Sequence, residues 1–182
     1  MSLTAETFEA EVRPLYRRLY GAALRLCGDS DTACDLCQEA LVKAFRARDR
    51  FRPGAALFPW LLRILRNTYL DQVRSARARH ERREQDGEFD RRGQPAPQLE
   101  SLARREYRQH LEAGLSRLPE HQSMVLIAVD IEGLDYAEAA SVMDLPIGTV
   151  RSRLNRARAA LRLLVAKQLE PDQGPSRSGS KE

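Results

Sequence analysis

The chain has 182 residues, 42% of them hydrophobic, and sets 30 Lys and Arg against 26 Asp and Glu for a net charge of +4. Its longest uninterrupted apolar run, Met124 to Val129, is six residues, far short of the roughly 20 that cross a bilayer, and its N-terminus carries acids but no apolar signal core; a cytoplasmic protein without membrane attachment is expected. Arg supplies 27 of the 30 basic residues, and because guanidinium suits bidentate contact with phosphates and base edges, the placement of these charges says more than their sum.

Helical periodicity predicts an all-α chain of two small helical domains joined by a flexible linker. The first domain spans 5–80. Phe8, Val12, Leu15, Leu19, Ala22 and Leu26 recur at spacings of three and four as one buried stripe. A turn at Gly28 to Asp31 precedes a second stripe of Cys34, Cys37, Leu41 and Ala44, and a loop at Phe51 to Gly54 precedes a helix that begins near Pro59 and carries Leu61, Leu65 and Thr68 on one side. Proline is tolerated there because first-turn N–H groups have no partner within the helix. Cys34 and Cys37 form a C-x-x-C, a zinc half-site when it lies in a knuckle. Here it falls within a helical stripe, with the nearest His at position 80. Core filling is expected of Cys27, Cys34 and Cys37, redox sensing is the alternative, and neither metal nor cofactor is expected.

Residues 81–101 lose periodicity and gather Gly, Pro, Gln and mixed charge, as a flexible linker does. At about 3.3 to 3.6 Å per residue it reaches roughly 70 Å, enough to place two modules on well-separated sites. A second domain follows at 102–169, with helix ends marked by Pro119, Gly133 and Asp144-Leu145-Pro146. Asp135 and Glu138 have the spacing of an N-cap and its reciprocal partner. Residues 170–182 are polar, rich in Pro, Gly and Ser, and expected to be disordered.

Asp135 to Val165 reads as a short helix, a three-residue turn and a longer helix from Ile147, the helix-turn-helix arrangement whose second helix enters the major groove. Val150, Leu154, Ala157, Leu161 and Leu164 form its inward stripe; Arg151, Ser152, Asn155, Arg156 and Arg158 face outward. No acid occurs between Asp144 and Glu170, whereas Glu120 to Asp144 holds six acids and no Lys or Arg. The near-neutral total conceals an acidic segment beside a basic one. Arg reads guanine edges, Asn reads adenine, and further Arg reaches phosphates, so duplex DNA is the expected partner.

Two blocks carry a family resemblance. Asp35-Leu36-Cys37-Gln38-Glu39-Ala40, Phe45-Arg46-Ala47, Arg50 to Gly54 and Trp60 to Thr68 resemble region 2 of the extracytoplasmic-function sigma factors of bacterial RNA polymerase. Leu118-Pro119-Glu120, Asp130 to Ala140 and Gly148 to Leu154 resemble region 4 of the same family, in the family's order. The resemblance implies a non-enzymatic alternative sigma factor that directs transcription initiation. By position it assigns Asp35, Gln38 and Glu39 to a coiled coil of the core polymerase's largest subunit. Phe51, Trp60, Arg63 and Asn67 fall to an extruded base of the melted minus-10 element, and Arg151, Ser152, Asn155 and Arg156 to the minus-35 duplex. It further implies an anti-sigma protein as a partner. Core packing is the competing role for Phe51 and Trp60. The basic run Arg74, Arg77, Arg79, Arg82 and Arg83 either touches upstream phosphates or is solvated.

From the residues alone, a stand-alone helix-turn-helix regulator with a ligand-sensing or dimerising N-terminal domain is the rival reading. A thiol-dependent enzyme is a more distant one and needs an exposed Cys of low pKa. No Gly-rich phosphate loop, H-E-x-x-H or G-x-S-x-G occurs in the chain.

Overall fold

The computed structural model describes residues 4–52, 54–81 and 102–169, so the tail expected at 170–182 and all of the linker expected at 81–101 except Glu81 lie outside the described residues; Glu81 itself is the last residue of the helix before it. Within them the regular structure is helical. The first module holds α1 (Ala5–Val12), α2 (Tyr16–Cys27), α3 (Ser30–Arg46) and α4 (Leu57–Glu81); the second holds α5 (Leu102–Arg117), α6 (Glu120–Leu126), α7 (Tyr136–Met143) and α8 (Ile147–Leu169). None of these helices is long and apolar enough to cross a membrane.

The boundaries follow from local chemistry. Pro14 sits in a 3₁₀ turn that offsets α1 from α2. Gly28 ends α2 in the left-handed conformation, φ 72°, where a Cβ is strained, and donates its N–H to Leu24. Asp29 then opens α3: its carboxylate accepts from Thr32 N at 2.8 Å and Thr32 Oγ1 at 2.7 Å, and these bonds hold its pKa below the usual carboxylate range. The turn is thus tighter than the four residues expected from sequence, because Ser30 and Asp31 already belong to the helix. α4 begins at Leu57, two residues before Pro59, which keeps the proline in the first turn.

In the second module Asp135 Oδ1 accepts from Ala137 N and Glu138 N at 2.8 Å, and Glu138 Oε2 accepts from Asp135 N at 3.0 Å, the reciprocal cap its spacing predicts. Asp144 ends α7 with φ 55°, and Leu145-Pro146 leads into α8, so the helix-turn-helix has the expected boundaries. A π-helical turn at Ile127–Ile131, invisible to sequence periodicity, continues α6.

The core is one cluster that runs through both modules, from Leu19, Leu36 and Leu65 to Met124, Ile127 and Leu154. α4 packs on α2 and α3 within its own module and on α7 of the other, while α5 and α6 rest on α2. Sequence periodicity places both stripes of the first module, but the centre of the second shifts to Ala33, Leu36, Cys37, Ala40 and Ala44, leaving Cys34 and Leu41 at its margin. α5 and α8 approach so closely at Gly114 that a Cβ there would meet Leu161 Cδ1 at 2.9 Å.

Cys27 and Cys37 are buried and Cys34 is half-buried. Burial, and then the neighbouring Cys34, pushes the Cys37 thiol up to about 11, so only about 0.1% is thiolate at pH 8. Iodoacetamide at pH 8 is therefore expected to label Cys34 ahead of Cys37 in the native protein and all three cysteines in urea; rapid native labelling of Cys37 would contradict its placement in the core. Removing the reciprocal cap by Asp135→Ala is expected to lower stability by about 1 kcal/mol, read from the urea midpoint, and an unchanged midpoint would show that the cap contributes nothing.

Candidate nucleic-acid interface

The first three turns of α8 present a donor-rich face. Arg151, Ser152, Asn155 and Arg156 are exposed, while Val150, Leu154 and Ala157 are buried against the rest of the module. The Arg151 guanidinium lies 5.2 Å from the centroid of the Tyr136 ring on α7, which steadies it and leaves its N–H groups outward. Ser152 Oγ donates to Thr149 O at 3.0 Å and Arg156 Nε to Ser152 O at 3.3 Å. These four side chains are thus brought together as the sequence predicts. Arg158 is not free with them: it forks onto Asp130, with Nε 2.9 Å from Oδ2 and Nη2 2.5 Å from Oδ1. It keeps the outward position expected from helical spacing, 41% exposed, but its guanidinium is engaged by a carboxylate of the π-helical turn.

A second face lies on α4. Arg63 and Asn67 are exposed one turn apart, and Trp60, at the same angular position one turn earlier, is half-buried. Phe51 is 9% exposed, and its ring centroid stands 5.2 Å from that of Trp60 in a tilted pair. Its ring is used in packing, so the stacking surface on this face belongs to Trp60 and the free polar groups to Arg63 and Asn67. Arg66, which sequence reasoning passed over, points Nη1 toward Asn67 Oδ1 at 3.4 Å. Its Nε lies 3.3 Å from Glu120 of the second module. Of the basic run that follows, Arg74 is exposed; Arg77 and Arg79 lie where side chains are undescribed, and Arg82 and Arg83 outside the described residues.

The third face is on α3. Asp35, Gln38 and Glu39 are exposed. Gln38 Nε2 donates to Cys34 Sγ at 3.4 Å. Glu39 is fixed from two sides, by Lys43 at 2.9 Å and by Gln72 Nε2 of α4 at 2.8 Å. Lys43 and then Gln72 hold its carboxyl below the usual carboxylate range. Val42 and Phe45 continue the helix as exposed apolar groups, 48% and 40% accessible. Phe45 borders a hollow of ≈ 640 Å³ that Phe8, Val12, Tyr16 and Leu41 also line. This face thus sets a fixed carboxylate beside open apolar side chains. No group of three or more His, Cys, Asp or Glu suited to a metal ion occurs among the described residues.

Comparison with known proteins matches both modules. Residues 12–79 match sigma-70 region 2, and residues 108–161 match sigma-70 region 4. The chain is 37% identical over 155 residues to the ECF RNA polymerase sigma factor EcfG of Rhodopseudomonas palustris, covering 84% of this chain and 82% of that one. It is 35% identical over 162 residues to the RNA polymerase sigma-H factor of Pseudomonas aeruginosa, covering 85% and 83%. Among solved structures it is similar to the sigma factor RpoE of Bartonella quintana in complex with the anti-sigma factor NepR. That match has a TM-score of 0.77 and 32% identity, and covers 92% of this chain and all of the other. It is similar also to CnrH in complex with the cytosolic domain of CnrY, with a TM-score of 0.63, 26% identity and 90% coverage of both.

Proposed function

The chain belongs to the sigma-70 family as an alternative, extracytoplasmic-function type sigma factor that directs transcription initiation, and from that premise we propose which surfaces do the work. The observation that carries the reading is the pairing, in one chain, of a region 2 module that sets a half-buried Trp60 beside exposed Arg63 and Asn67 and a helix-turn-helix with an exposed Arg151, Ser152, Asn155 and Arg156 face. A stand-alone regulator would account for the second module but not for the match of the first to sigma-70 region 2.

Residues 102–169 form the domain that reads minus-35 DNA as duplex. With the N-terminal half of α8 in the major groove, Arg151 or Arg156 can bond guanine O6 and N7, and Asn155 can bond adenine N6 and N7. Residues 5–80 form the domain that takes the minus-10 element as a single strand. An unstacked base lies against Trp60, backed by Phe51, while the Asn67 amide bonds its edge and Arg63 meets the adjoining phosphate. Asp35, Gln38 and the preorganised Glu39 dock a coiled coil of the polymerase's largest subunit, which supplies all covalent chemistry. The protein itself is not an enzyme and works in the cytoplasm, where the polymerase is. One similar sigma factor is found in complex with an anti-sigma factor, and a protein of that class is the regulatory partner of this one.

Run-off transcription with purified core polymerase and a library of randomised promoters tests the reading: promoter-specific products are expected only when the protein is added, and their absence with a folded protein would refute it. Arg151→Ala is expected to weaken minus-35 discrimination by about 1 to 3 kcal/mol if that residue holds a base edge; a uniform loss over all sequences would instead make it a phosphate contact. Asn67→Ala is expected to leave polymerase binding intact and impair open-complex formation, and loss of both would mark a structural residue.

A further inference from the structure

The arginines along the outward side of α8 are held in three different ways. Arg151 rests on a ring: its guanidinium carbon is 5.2 Å from the centroid of Tyr136, inside the roughly 6 Å over which an aromatic face attracts a cation. Arg156 turns Nε back to the carbonyl of Ser152, on its own helix, at 3.3 Å. Arg158, seven residues beyond Arg151 and so on the same side of the helix, is engaged by Asp130. Tyr136 is itself fixed. It is the first residue of α7 and directly follows Asp135, whose carboxylate and the Glu138 side chain close the reciprocal cap. Ala139 and Val142 of the same helix are buried, as is Val150 beside Arg151. The tyrosine remains 37% exposed, so it stands at the surface beside the exposed quartet while its helix is anchored beneath it.

We propose that Tyr136 is a positioning residue that sets sequence specificity: its ring holds the Arg151 guanidinium in the pose from which Arg151 reads a base edge, and Arg156 serves as a phosphate contact. The proposal rests on the minus-35 reading above and names which arginine does the reading. A bidentate bond to guanine O6 and N7 needs two N–H groups of one guanidinium aligned in a single plane. A long side chain that starts free forfeits its rotamer freedom to reach that alignment, whereas one already leaning on a ring has surrendered part of it before DNA arrives. The ring engages the flat face of the cation, and the hydrogen bonds leave from its edge, so the two contacts do not compete. Closing the groove over the pair removes water and strengthens the attraction. Arg156, with Nε turned to its own backbone, keeps its Nη groups for a phosphate oxygen, a contact that tolerates a looser pose. Tyr136 acts through Arg151 and needs no bond of its own to DNA.

Run-off transcription by core polymerase and the full chain, on a promoter library randomised in the minus-35 element and sequenced before and after, reads base preference position by position. Arg151→Ala identifies the base pair that Arg151 reads. Y136L, which keeps an apolar side chain and loses the ring, is expected to lower the preference at that base pair about three- to fivefold and leave the other positions as in the parent. Y136F, which keeps the ring and loses the hydroxyl, is expected to stay within about twofold of the parent. Y136L/R151A is expected to be no worse there than R151A alone, because both changes remove one contact. If Y136L fails to fold, proton NMR of the parent gives the second measurement: the Arg151 δ-methylene is expected upfield of the other arginines through the ring current of Tyr136, and to stay there in Y136F. An unshifted Arg151, a Y136L preference identical to the parent's, equal losses in Y136F and Y136L, or losses from R151A or Y136L spread evenly over all positions would each overturn the proposal. Promoter-specific products from the parent with an unchanged Y136L preference remove the part of Tyr136 alone, whereas no product from the parent removes the sigma-factor reading beneath it.

Discussion

The width of the apolar stripe on α4 is the constraint on which the rest of the structure depends. Phe58, Leu61, Leu62, Leu65 and Thr68 are all buried, and at 100° per residue they cover an arc of about 120°. α2 and α3 pack against part of it and α7 of the other module against part. The one polar member, Thr68, is made compatible by donating its hydroxyl to Ile64 O at 2.9 Å. Arg63 and Asn67 fall on the side of α4 away from this stripe and point outward. The position of the face proposed for the minus-10 element therefore follows from where the helix has to hide its leucines.

Electrostatics then divides the molecule. The segment from Glu120 to Asp144 holds six acids and no Lys or Arg, and in the fold these carboxylates go to different tasks. Asp135 and Glu138 cap a helix, Asp130 holds Arg158, and Glu120 and Glu132 reach across to Arg66 and Arg18. The acid-free helix that follows keeps Arg151 and Arg156 for the solvent side. Sorting by segment lets a chain of small net charge present a cationic surface on a helix that carries no acid of its own.

Much of this was legible in the sequence. The stripes of α2 and α4, the cap at Asp135, the three-residue turn and the exposed quartet on α8 follow from periodicity and turn chemistry, which are local. The misses share one cause. Helical spacing says which way a side chain leaves the axis but not what stands opposite it. Hence Arg158 read as outward although Asp130 meets it, Arg66 drew no notice although Glu120 lies beside it, and Phe51 carried two readings until its contact with Trp60 was seen. The packing of one module on the other is a long-range property that no window of eighteen residues contains. The π-helical turn at Ile127–Ile131 likewise has no period of its own to detect.

The Asp130–Arg158 fork also bears on how the second module responds to ions. Binding to duplex DNA releases roughly 0.9 counterion for each phosphate that the protein neutralises. A guanidinium already satisfied by a carboxylate releases none unless that bond is first broken. Counting arginines along α8 therefore overstates the thermodynamic charge of the helix by one. The salt sensitivity of its grip on DNA belongs to the residues that remain open, among them Arg151 and Arg156.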